Sequence, residues 1–115
     1  MSLAQVKNNV PAQIAHETQT VTAASGSVAA LLRNGQIVLN TTGTPDVVLG
    51  TPQVGDELVI VGIGSGAVTA TLPTGVTWDG TNRVATFGSG KAIHARCVSA
   101  TRMFVLANVG TVAFS

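Results

Sequence analysis

From Gly55 to Ser115 the chain is a succession of short β-branched runs separated by Gly, Thr and Asn turns, with almost no reactive side chain between them. Val, Ile and Thr suit a pleated, half-buried surface, so such runs read as strands. Five are predicted here: Gly55–Val61, Ala67–Leu72, Arg83–Phe87, Lys91–Val98 and Met103–Val109. Upstream, Thr18–Ala24 reads as an extended strand that Ser25-Gly26-Ser27 punctuates, and Asp46–Leu49 as a short one. Arg33-Asn34-Gly35-Gln36 contains Asn-Gly, the best short hairpin signal, so the flanking runs Val28–Leu32 and Gln36–Asn40 are expected to pair antiparallel. Gly62–Gly66 reads as a glycine-rich hairpin loop, and Asp79-Gly80 as the tip of a hairpin joining Val76-Thr77-Trp78 to Arg83–Phe87. No internal repeat is visible. Strands at intervals of roughly eight to twelve residues predict an all-β domain over 18–115, a small antiparallel β-sandwich or barrel.

Val, Thr, Ala and Gly supply 60 of the 115 residues, and charged side chains are 10% of the chain against about 25% in an average soluble domain. Aromatics are scarce: Trp78, Phe87, Phe104, Phe114 and no Tyr. The monomer core must therefore be built from small aliphatics, with Trp78 its candidate anchor. A thin core under a low-charge surface points to a fold completed by oligomerisation. The run Met103-Phe104-Val105-Leu106 is the candidate subunit interface, because it is apolar at successive positions and so on both strand faces.

Residues 1–17 differ from the rest. Val6, Val10 and Ile14 recur at four-residue spacing, but Pro11 and Asn8-Asn9 argue against a long helix. An extended N-terminal arm or a single helical turn is expected, which either frays or docks on a neighbour or partner through those three side chains. No run reaches the 18 or so apolar residues of a membrane helix, and Met1–Lys7 lacks the basic-then-apolar order of a secretion signal. Neither membrane insertion nor classical secretion is expected, and Asn40-Thr41-Thr42 reads as a chance sequon. The single cysteine, Cys97, makes no internal disulfide.

The net charge of +1 divides unevenly, −3 over residues 1–79 and +4 over residues 80–115. Four cations without interleaved exposed aromatics make a poor footprint for nucleic acid, and no such partner is expected. Gly62, Gly64 and Ala67 satisfy the spacing of a dinucleotide-binding turn directly after a strand. The next residues alternate like another strand and meet Pro73, so the helix that would hold the pyrophosphate is missing. His94 and Cys97 form an H-x-x-C pair, yet on a strand they fall on opposite faces, and His16 is the only other histidine. Asp56 and Glu57 likewise point apart, and no G-x-S-x-G sequence opens a helix. Neither catalysis, a metal nor a cofactor is expected.

Three segments carry a resemblance: Gly55-Asp56-Glu57-Leu58-Val59-Ile60-Val61; Ala67–Leu72 with Pro73-Thr74-Gly75-Val76-Thr77-Trp78-Asp79-Gly80-Thr81-Asn82; and Val98-Ser99-Ala100-Thr101-Arg102 through Leu106-Ala107-Asn108-Val109-Gly110. Together they cover about half the chain and resemble small β-rich structural proteins of tailed bacteriophages. In those a Gly-Asp strand opens the domain, an "LP-x-GV-x-[FW]-DGTN" hairpin sits in its middle and a "VSATR" strand pair closes it. The resemblance implies a non-enzymatic virion component, usually a homotrimer. It points first to a capsid decoration (cement) protein on the head surface, partnered by the major capsid protein. A tail fibre, collar or baseplate component is the alternative within that class. A carbohydrate-binding module is the alternative outside it, and would need Trp78 exposed beside its turn.

Overall fold

The computed structural model describes residues 17–115, which form ten strands and no helix. They are β1 (Glu17–Val21), β2 (Ser27–Ala30), β3 (Gly35–Leu39), β4 (Asp46–Leu49), β5 (Glu57–Gly62), β6 (Val68–Thr71), β7 (Val84–Phe87), β8 (Lys91–Ser99), β9 (Arg102–Val109) and β10 (Ala113–Phe114). Sheet 1 has the order β1-β3-β5-β8-β9, and sheet 2 the order β10-β7-β6-β4-β2.

The chain thus changes sheet at every step from β1 to β6, so odd and even strands stack separately. Within each stack the pairing is parallel: β1 with β3 and β3 with β5 in sheet 1, β2 with β4 and β4 with β6 in sheet 2. From β6 onward every pairing between strands is antiparallel. The all-β reading stands, whereas a purely antiparallel one does not, because three successive windings lay like-directed strands side by side.

The corners explain the difference. Asn34-Gly35 is not a hairpin turn, since β2 and β3 lie in different sheets. Asn34 Oδ1 accepts a hydrogen bond from the Glu57 N–H at 3.0 Å, tying this corner to the next winding. Gly35 has φ +133°, and a Cβ there would strike the Glu17 carbonyl of the winding before. Nor is Gly62–Gly66 a hairpin loop, because it carries the chain from β5 in sheet 1 to β6 in sheet 2. At this corner Ala24, Gly43 and Gly66 stack in successive windings: a Cβ on Gly43 would overlap the Ala24 carbonyl, and one on Gly66 the Gly43 carbonyl. Hydrogen bonds carry the ladder round the bend, from Asn40 N–H to Val21 O at 2.9 Å and from Gly66 N–H to Thr41 O at 2.9 Å. The Thr41 hydroxyl, buried here, donates to Ala23 O at 2.6 Å.

Asp79-Gly80 does form a tight turn, closed by Trp78 N–H to Asn82 O at 2.8 Å. Its N-terminal flank is not a strand partner of β7, which pairs with β6 instead; Thr77 bridges to Arg102. One core runs between the sheets, fed by alternate residues such as Ile37, Leu39 and Ile60 from sheet 1 and Val47, Ala70 and Phe87 from sheet 2. Trp78 joins it from the loop before β7, 1% exposed, with its ring centroid 6.3 Å from that of Phe114.

Candidate functional site

Residues paired across a sheet point the same way, so registers identify what each outer face presents. On sheet 2 one row runs Ser27, Asp46, Thr69, Thr86, Ala113. Asp46 Oδ1 accepts from the Thr69 hydroxyl at 2.8 Å and the Thr71 hydroxyl at 2.7 Å, so this row is polar and internally satisfied, while the neighbouring outward row Ala29, Val48, Thr71, Val84 is mostly apolar. On sheet 1 the row Thr20, Val38, Val61, Ala92, Val109 is apolar over four strands, although none of its members is buried.

That row ends on β9, the edge strand of sheet 1, whose first residues are bridged by Thr77 and whose remainder is open. A register shift between His94 and Ala95 places a bulge at Leu106, where a bulge re-aims side chains and interrupts pairing. Phe104, Leu106 and Val109 are 49%, 50% and 58% exposed, and Val98 on β8 is 49% exposed. Of the candidate interface run, Phe104 and Leu106 face out, Val105 is half-buried against the core, and Met103, 1% exposed, is a core residue whose side chain no neighbour could reach. Val6, Val10 and Ile14 lie outside the described residues.

One polar cluster accompanies the apolar row. Glu57 Oε1 lies 3.2 Å from His94 Nε2, and Glu57 Oε2 lies 3.4 Å from Arg96 Nη1. Spacing alone could not find this group, since Glu57 is 37 positions from His94; only the β5–β8 register places Glu57 opposite Arg96. Cys97 is buried on the other face, with its thiol donating to Ser99 O at 3.1 Å, so it shares no site with His94. Trp78 is enclosed and offers no ring face to a sugar. Among the described residues, no group of three His, Cys, Asp or Glu side chains is arranged to hold a metal ion.

A shallow hollow of about 470 Å³ opens between the 75–80 loop and the β8–β9 turn, lined by Thr77, Ser99, Thr101 and Arg102 among others. Thr77 N–H to Thr101 O at 3.1 Å and Met103 N–H to Thr77 O at 2.8 Å stitch its two sides together.

Comparison with models of known protein families gives no match, and comparison with curated proteins gives none either.

Proposed function

We propose that this protein is a non-enzymatic structural subunit of a tailed-bacteriophage virion, a capsid decoration (cement) protein that stabilises the head as a homotrimer and contacts the major capsid protein. The observation that carries the reading is the uncovered apolar surface on sheet 1. Its outer face leaves an apolar row and the exposed side chains of β9 uncovered, a larger apolar surface than the row around Val48 on sheet 2. Such a surface suits contact with other protein chains better than chemistry on a small molecule. The resemblance carried by Gly55-Asp56, by Leu72–Asn82 and by Val98–Arg102 supports the virion class.

In this reading the two sheets make a small β-sandwich completed by neighbouring copies, and the residues ahead of β1 contact capsid or neighbour. Weak contacts repeated over many equivalent sites would raise shell stability by mass action and avidity. The tail fibre, collar or baseplate alternative draws support from a different observation. Parallel windings that advance along one axis, in a body 46 Å long and 28 by 24 Å across, suit an elongated shaft.

Immunogold electron microscopy of particles from the source tests both. Label spread over heads supports decoration, and label confined to tails transfers the same domain to a fibre or baseplate role. Absence from particles overturns the virion reading.

A further inference from the structure

The four sheet edges are finished differently. β9 has eight residues, against five in β1, four in β2 and two in β10. Soluble monomers guard long edges with charge, proline, shortness or a bulge, because a bare edge invites other chains. From Met103 to Ser115 there is neither a charged residue nor a proline, so beyond Arg102 and the Thr77 bridge that cover its first residues β9 is guarded by the bulge at Leu106 alone. The bulge interrupts the ladder halfway along, so another strand could not add along the whole edge in register. Side-chain packing remains open. Phe104 is opposite Arg96 on the outer face, and Val98, the extra residue at a second register shift between Cys97 and Ser99, is exposed beside them. With Leu106 and Val109 they form an apolar ridge along β9 and the neighbouring end of β8, each hydrophobic member about half exposed or more.

We propose that this ridge is an interface for a second copy of the same chain, an inference that rests on reading the protein as a self-assembling subunit. Charge singles out a second copy from other occupants. At the ridge Glu57 and Arg96 stand 3.4 Å apart, one acid and one base on one face. Two such faces brought together in opposite directions set each Arg96, which stands between Phe104 and Val98 within the ridge, against the other copy's Glu57, so the one charge the ridge carries keeps an acidic partner when it is covered. An acidic or basic partner would satisfy only one member of that pair. Reciprocal exchange of this kind needs a two-fold axis, whereas a three-fold ring sets the ridge against a different patch of the next copy, so a measured mass of two chains supports the exchange and one of three keeps the ridge as the contact without it.

The test is the mass of the full chain in solution, by light scattering and sedimentation at about 10–100 μM, a range that reports micromolar association. The expected mass is two or three times 11.6 kDa. Phe104→Lys and Leu106→Lys are each expected to weaken association about tenfold or more, and together to leave a monomer. Leu31→Lys, at a more exposed position that follows β2 and neighbours Glu17 of β1, far from β9 in the sheet order, is expected to leave the mass unchanged. Circular dichroism and Trp78 emission identify variants that remain folded, and Leu106→Cys is expected to give a disulfide-linked dimer on mild oxidation. A wild-type monomer over that range, or an oligomer that survives the folded double variant, would overturn the proposal. The location in particles is independent: a monomer that still decorates heads removes the ridge contact alone, and an oligomer absent from particles removes the virion reading alone.

Discussion

Asp56 and Gln53 hold each other through two hydrogen bonds: Asp56 Oδ2 accepts from the Gln53 N–H at 2.8 Å, and the Asp56 N–H donates to Gln53 O at 2.9 Å. This clasp closes the turn that returns the chain from β4 in sheet 2 to β5 in sheet 1. Asp56 is 8% exposed, its carbonyl accepts from the Cys97 N–H at 2.8 Å, and Arg33 Nε stands 3.7 Å from Oδ2. Asp56→Ala leaves the Gln53 N–H without its acceptor and is expected to cost about 1–3 kcal/mol. Asp56→Asn keeps an acceptor and is expected to cost less. Urea unfolding reads both, and an unchanged midpoint for the alanine variant would show that the clasp contributes nothing.

The stacked corner makes a steric demand. Gly43→Ala and Gly66→Ala each push a methyl group into the carbonyl of the preceding winding, and overpacking against rigid backbone costs about 1–3 kcal/mol or more. Gly88 has no heavy atom within 4 Å of where its Cβ would stand. Gly88→Ala is therefore the matched control, expected to be near neutral. Equal denaturation midpoints for Gly66→Ala and Gly88→Ala would contradict the close stacking of windings.

Individual strands were legible because alternation and β-branching are local. Asp46–Leu49 forms where it was read, and Lys91–Val98 and Met103–Val109 shift by a single residue at one end. Partners were not legible, because the windings differ in length. Gly35 follows its partner Glu17 by 18 positions, but Leu58 follows Gly35 by 23, the excess lying in the turn before Asp56. No fixed period survives such a step, and Asn34-Gly35 imitates a hairpin whose two flanks belong to different sheets. Strand β10, only Ala113–Phe114, is too short for any pattern. At the candidate site, alternation separates Met103 from Phe104, but the bulge that turns Leu106 outward depends on the β8 register.

Trp78 is the largest fully buried side chain, so its emission is expected to be blue-shifted and shielded from acrylamide. Trp78→Ala is expected to cost about 3–5 kcal/mol, a large part of the roughly 5–15 kcal/mol typical of a whole domain. The indole Nε1 has no hydrogen-bond partner among the described residues, so Trp78→Phe forfeits volume without forfeiting a bond and is expected to cost less. Red, readily quenched emission that shifts on adding oligosaccharide would restore Trp78 as a sugar platform.

Backbone N–H groups of Asn82 and Thr81, donating to Asp79 Oδ1 at 2.7 and 2.9 Å, hold the Asp79 carboxyl below the usual aspartate range, aided by the Asn82 side chain. The folded state therefore prefers the ionised form. Its stabilisation is present above the unfolded pKa of about 3.9 and is lost as pH falls through the lower folded value. Asp79 is exposed, so salt and solvent keep the effect small. Asp79→Asn is expected to lose that small stabilisation at neutral pH and to converge with the parent protein below about pH 4, giving a flatter acid limb. Parallel acid limbs for the two proteins would remove this turn from the titration.

Burial pushes the Cys97 thiol above its ordinary pKa. The folded state holds the proton more tightly than the unfolded chain, so the associated stability is full below the unfolded value of about 8.5 and is lost as pH rises through the folded one. Cys97→Ala is expected to weaken the core through lost volume, yet to show a flatter alkaline limb than the parent protein. Reactivity follows from the same burial, because the thiolate is the nucleophile and here it is both scarce and enclosed. Iodoacetamide is expected to modify Cys97 slowly in the native protein, at a rate that rises with urea in step with unfolding. Fast modification under native conditions would mean that β8 and β9 separate readily, since Cys97 is covered on the face where Met103 pairs opposite it.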